Sequence, residues 1–150
     1  MALDSIYTQI IMEESRNTKN KKDLENPSYK ELGHNPSCGD EITLQVKIED
    51  RKLTDLSYTG IGCAISQAST SIMIDTVRGK TLEEAKSLAN LFINMIKGIA
   101  DEDEIEKLEN AAAFEGIKEL PARVKCAVLP WYTLKAIIEK EENKNSEIIK

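Results

Sequence analysis

Three cysteines and one aspartate are the residues of this 150-residue chain best placed to do chemistry. Cys38 and Asp40 share the stretch "HNPSCGD"; Cys63 follows in "TGIGCAIS" and Cys126 in "ARVKCAV". Taken alone, Cys38 is a poor nucleophile, because a nearby carboxylate raises a thiol's pKa. Three thiolates and a carboxylate repel one another unless a cation lies among them. Zinc accepts four such ligands in a tetrahedron, and its binding keeps the sulfurs deprotonated. The residue types therefore predict a metal site of Cys38, Asp40, Cys63 and Cys126. Zinc is the first choice, and iron or an iron–sulfur cluster the second. Spacing alone is less specific. The cysteines stand 25 and 63 residues apart with no Cys-x-x-Cys pair, and three inert, buried cysteines are the alternative.

Local context favours the reactive reading. Cys63 falls where a strand ends and a helix begins, and a helix N-terminus stabilises a thiolate. Gly60 and Gly62 leave room for close approach to the backbone there. Arg123 and Lys125 flank Cys126 and favour its thiolate, while Cys38 occupies a turn before a strand. Each cysteine is thus expected at the end of an element. His34, the single histidine, reads as a surface or packing residue rather than a ligand.

The elements that must position these residues follow from periodicity. Leu3, Ile6, Tyr7, Ile10 and Ile11 mark one face of a helix with Asp4 as its N-cap. "SRNTKNKKDLENP" reads as a polar loop, and an edge strand fits Tyr29 to Gly33. Ile42, Leu44, Val46 and Ile48 alternate with Thr43, Gln45, Lys47 and Glu49, which predicts a half-buried strand. "LTDLSYTGIG" pairs with it as an antiparallel hairpin. Ile65, Ala68, Ile72 and Thr76 lie on one face of the next helix, and small residues at its other positions let it pack closely. Leu82, Ala85, Leu88, Ala89, Phe92, Met95, Ile96 and Ile99 form the stripe of another, opened by a Thr81–Glu84 capping box. Six of the nine residues from Asp101 to Glu109 are acidic, which reads as a solvated face, with partner docking as the alternative. Pro130 suits the first turn of the last helical segment, with Trp131, Leu134, Ile137 and Ile138 facing the core. The order predicts an α+β domain: a small antiparallel sheet of about three strands with helices packed on one face.

Composition narrows the partners. A net charge of −6 with 5% aromatic residues argues against nucleic acid, which needs phosphate neutralisation and stacking platforms. No run approaches the ~20 apolar residues of a membrane span, and "MALDSIYTQII" does not look like a signal peptide. The chain is expected to be cytoplasmic.

"NPSCGD", "GIGCAISQAS" and "ARVKCAVLPW" occur in this order, with every cysteine in register. Together they resemble the three signature segments of the SufU/IscU family, the NifU N-terminal-like iron–sulfur assembly proteins. Lys125 stands where IscU-type scaffolds carry histidine, which points to the SufU branch. So does a longer interval between Cys63 and Cys126, an insertion around 98–116. The resemblance implies one domain over 1–150, with a frayed tail from about 142. It also implies that the protein accepts persulfide sulfur from a SufS-type pyridoxal-phosphate cysteine desulfurase. The sulfur would pass to downstream Suf cluster-assembly proteins. Cys38, Asp40, Cys63 and Cys126 would hold the zinc, with Cys38 as the acceptor and Arg123 touching the partner or Asp40. A scaffold that assembles and transfers an iron–sulfur cluster is the alternative.

Overall fold

A computed structural model describes residues 5–149, with side chains over 8–144. The chain runs α1 (Ser5–Arg16), β1 (Tyr29–Asn35), β2 (Asp40–Glu49), β3 (Lys52–Ile61), α2 (Ala64–Val77) and α3 (Leu82–Lys97). Then come α4 (Glu102–Glu106), a 3-10 stretch (Glu109–Glu119) and α5 (Pro121–Ile149). Leu3 and Asp4 lie outside the described residues, as do the side chains of Ile6 and Tyr7; Ile11 is buried.

The expected α+β architecture is present: one antiparallel sheet ordered β1-β2-β3. Ile42, Leu44 and Val46 are buried on one face of β2. Because side chains alternate along a strand, Asp40 belongs to the same row, and it too is fully buried. The register pairs it with Asn35 of β1, so this face ends in two polar groups. Beyond a register shift at Lys47/Ile48, Ile48 is only half-buried.

Local expectations need correction at Gln45, Ile99 and Pro130. Gln45, assigned to the solvent face, is buried. The segment read as a plain polar loop folds over it: Gln45 bonds the Leu24 N–H at 2.9 Å and Asp23 at 2.7 Å. That segment also docks on β3, where Tyr58 exchanges backbone hydrogen bonds with Asn20 and Lys22. Helix α2 buries far more than one face, including Ser66, Ser69, Thr70 and Ser71. It packs against α1, α5 and β3 at once, and its small hydroxyls find partners there, such as Ser69 to the Ala127 carbonyl at 2.6 Å. Burial without such a partner would be costly.

Ile99 falls past the Gly98 cap of α3 and is exposed. Finally, Pro130 does not open a segment. It lies inside a continuous α5 that starts at Pro121. A proline lacks the N–H that would bond the carbonyl four residues earlier, here that of Cys126. The capping box at Thr81 and Glu84 is present. Trp131, Leu134, Ile137 and Ile138 are buried as expected, and Trp131 stacks on Phe92 at 4.3 Å.

Candidate metal centre

Three chain segments meet at the open end of the sheet. The β1–β2 turn carries Cys38, with Gly39 in the left-handed region at φ +70°, where the absence of a Cβ removes the strain. The start of β2 supplies Asp40, the β3–α2 junction Cys63, and the second turn of α5 Cys126. Cys38, Asp40 and Cys126 each offer a ligand atom within 4.8 Å of the other two. The Cys38 and Cys126 sulfurs are 2.9 Å apart and are free thiols.

Cys63 stands at the rim of this cluster. It is the N-cap of α2, and its sulfur accepts the Ser66 N–H at 3.5 Å. Its own N–H donates to Asp40 Oδ1 at 2.8 Å. Gly62 permits this closeness: a Cβ there would come within 2.4 Å of Ser66 Oγ and 2.9 Å of Asp40 Oδ1.

Two residues that the sequence reading passed over complete the setting. Ser66 Oγ lies 3.0 Å from Asp40 Oδ1. Asn35 Nδ2 lies 3.4 Å from Asp40 Oδ2 and 3.6 Å from the Cys126 sulfur. The signal for Asn35 was its place opposite Asp40 across a short turn. The signal for Ser66 was its spacing three residues after a helix-opening cysteine.

Cys126 departs from expectation. It is interior to α5 and fully buried. Burial pushes its thiol well above the ordinary range, and hydrogen bonds with Cys38, Cys63 and Asp40 add to this. Desolvation outweighs the adjacent cations. Arg123 is exposed and meets Cys38 rather than Asp40, with Nη1 3.6 Å from the sulfur. Hydrogen bonding to Cys126 and the charges of the three thiols hold its guanidinium above its ordinary value. His34 is absent from the cluster and faces Glu41 at 3.8 Å.

The donor set fits zinc. Zn–S bonds of ~2.3 Å place tetrahedral sulfurs about 3.8 Å apart, wider than the 2.9 Å between the Cys38 and Cys126 sulfurs and inside the 4.8 Å bound on the three ligand atoms, so the two thiols would part on binding. Buried Asp40 has Oδ1 doubly bonded, while Oδ2 has one long contact, so an acceptor is left on the thiol side. A buried carboxylate beside sulfurs is costly without a cation. Cys38, Asp40 and Cys126 could hold the ion directly, with Cys63 at the rim.

The comparisons with known proteins give the family. Residues 6–127 match the family model described as NifU-like N terminal domain. The chain is 38% identical to the zinc-dependent sulfurtransferase SufU of Bacillus subtilis, across 95% of this chain and 96% of that one. It is 39% identical to the iron–sulfur cluster assembly scaffold protein IscU of Thermotoga maritima, across 93% and 97%. The solved structure of FiSufU from Fervidobacterium islandicum superposes with a TM-score of 0.81 at 42% identity, covering 87% of this chain and 95% of that one. The N-terminal NifU-like protein of Brucella abortus gives 0.83 at 27%, covering 96% and 99%. The chain belongs to the NifU-like N-terminal domain family, among relatives that include SufU and IscU.

Proposed function

We propose that the protein is a zinc-dependent sulfurtransferase of iron–sulfur cluster assembly, taking persulfide sulfur from a SufS-type cysteine desulfurase onto Cys38. The observation that carries the reading is the cluster of Cys38, Cys126 and buried Asp40. The relative named as a zinc-dependent sulfurtransferase supports the metal. Cys38, Asp40 and Cys126 would hold the ion, and Cys63, at the rim, would complete the four-ligand set. When bound, zinc supplies charge that keeps these thiols deprotonated.

The chain's own residues do the rest. Cys38 is half-exposed at a surface turn, whereas Cys126 is buried. Cys63 is half-exposed too, but Cys38 is the one of the three that borders the surface hollow beside Arg123 and Lys125, and a partner's persulfide is received there. The Cys38 thiolate attacks the outer sulfur of the donor persulfide. A new S–S bond forms at Cys38, the donor S–S bond breaks, and the donor cysteine leaves as a thiolate. Arg123 beside the sulfur favours the attacking anion. Asp40 is held in place by Ser66 and the Cys63 N–H.

The test is desulfurase turnover with the chain added. Stimulation is expected from the wild type and none from Cys38→Ala; full stimulation by the variant ends the proposal. One zinc per chain is expected by elemental analysis. The second reading, a cluster scaffold, draws on the IscU relative's name. It predicts a stable cluster after anaerobic reconstitution, transferable to an apo-acceptor.

A further inference from the structure

Beside Cys38 the surface hollows into a cavity of about 380 Å³. Its walls are Ser37, Cys38, Pro121, Ala122, Arg123 and Lys125. Neither Arg123 nor Lys125 has a carboxylate within 4.0 Å among the described residues. On a chain of net charge −6, two unneutralised cations therefore border a thiol. Small-molecule sites begin at volumes of about 300 Å³, so the hollow suits a compact ligand. Its charge calls for an anion, and its thiol for a sulfur-exchange partner.

We propose that this hollow receives a small thiol bearing a carboxylate, which collects the transferred sulfur from persulfidated Cys38. The inference rests on Cys38 as sulfur acceptor. The incoming thiolate attacks the outer sulfur of Cys38–S–SH. Its new S–S bond forms, the Cys38 S–S bond breaks, and Cys38 departs with the electron pair as a thiolate. The proton stays on the transferred sulfur, so no oxidant or reductant is consumed. Arg123, 3.6 Å from Cys38, stabilises the departing thiolate, and Lys125 attracts the ligand carboxylate. A protein cysteine without an adjacent acid would gain nothing from Lys125.

The experiment loads the 150-residue chain with inorganic polysulfide, so no desulfurase is needed. The sulfur on the Cys38 peptide is then followed by mass during treatment with N-acetylcysteine or its neutral carboxamide. Rates are compared per thiolate. Charge focusing predicts that the carboxylate thiol is faster by about tenfold at low salt, with the gap closing at high salt. Lys125→Glu removes the preference. Equal rates in the wild type, or a preference that survives Lys125→Glu, overturns the proposal. A second measurement needs no persulfide: alkylation of Cys38 by iodoacetate against iodoacetamide. The wild type is expected to favour iodoacetate relative to free cysteine, and Lys125→Glu is not; a wild-type ratio matching free cysteine overturns the proposal. Failure of the desulfurase to load Cys38 would instead remove the sulfurtransferase reading and leave these measurements intact.

Discussion

Asp40 uses its two oxygens differently. Oδ1 accepts from the Cys63 N–H and Ser66, while Oδ2 faces Asn35 at a long 3.4 Å. Ser66 therefore decides how the carboxylate is presented to the sulfurs without touching the metal itself. Groups that orient a ligand in this way commonly govern affinity by about 10–100-fold. Ser66→Ala is expected to weaken zinc binding by about that factor, measured by competition with a colorimetric chelator. Unchanged affinity would show that the backbone N–H alone suffices. Asp40→Ala goes further and is expected to lose the metal, read by elemental analysis of the purified variant.

Among the elements, α3 has a fully specified start. Thr81 and Glu84 cap it reciprocally, at 3.1 and 2.9 Å. Thr81→Ala is expected to cost about 1 kcal/mol, seen as a lower denaturant midpoint. Hydrogen bonds from the Thr81 backbone and side chain lower the Glu84 pKa from its usual 4.5. Folding thus favours the charged form. The contribution is complete above 4.5 and is lost as pH falls through the lowered value. Thr81→Ala should flatten that acid limb of stability.

The capping box was legible because it is local, a pairing three residues long. So was the β2 stripe, whose period of two also carried Asp40 inward. The burial of Gln45 was not legible, because it depends on residues 20–24 folding across the sheet. The depth of Cys126 was hidden for a similar reason. Arg123 and Lys125 stand just before it in sequence and are exposed, but the Cys126 side chain turns into the packed interior beneath α5. The three thiols could be grouped by type, yet which of them lies deepest is decided by long-range packing.

Across the whole molecule, aromatic packing joins the helices. Phe92 of α3 stacks on Trp131 of α5 at 4.3 Å and meets Phe114 edge-on at 5.9 Å. Phe92→Ala is expected to cost about 3–5 kcal/mol, measured by urea unfolding; a cost under 1 kcal/mol would mean that the neighbours collapse into the space. No helix among the described residues is long and apolar enough to cross a membrane. The cluster has a further consequence for the unfolded chain. Cys38 and Cys126 are 88 positions apart, so an ion gripping both draws more than half of the polymer into a closed loop. A covalent tie of that span removes disorder from the denatured ensemble worth on the order of 4–5 kcal/mol, and a metal clip acts in the same sense. Chelation should therefore lower the melting temperature of the entire domain rather than loosen one corner, and calorimetry with and without chelator reads the difference. Delivery of zinc to the nascent chain then becomes an act of assembly: the metal that guards the sulfur chemistry also limits how far the chain can wander.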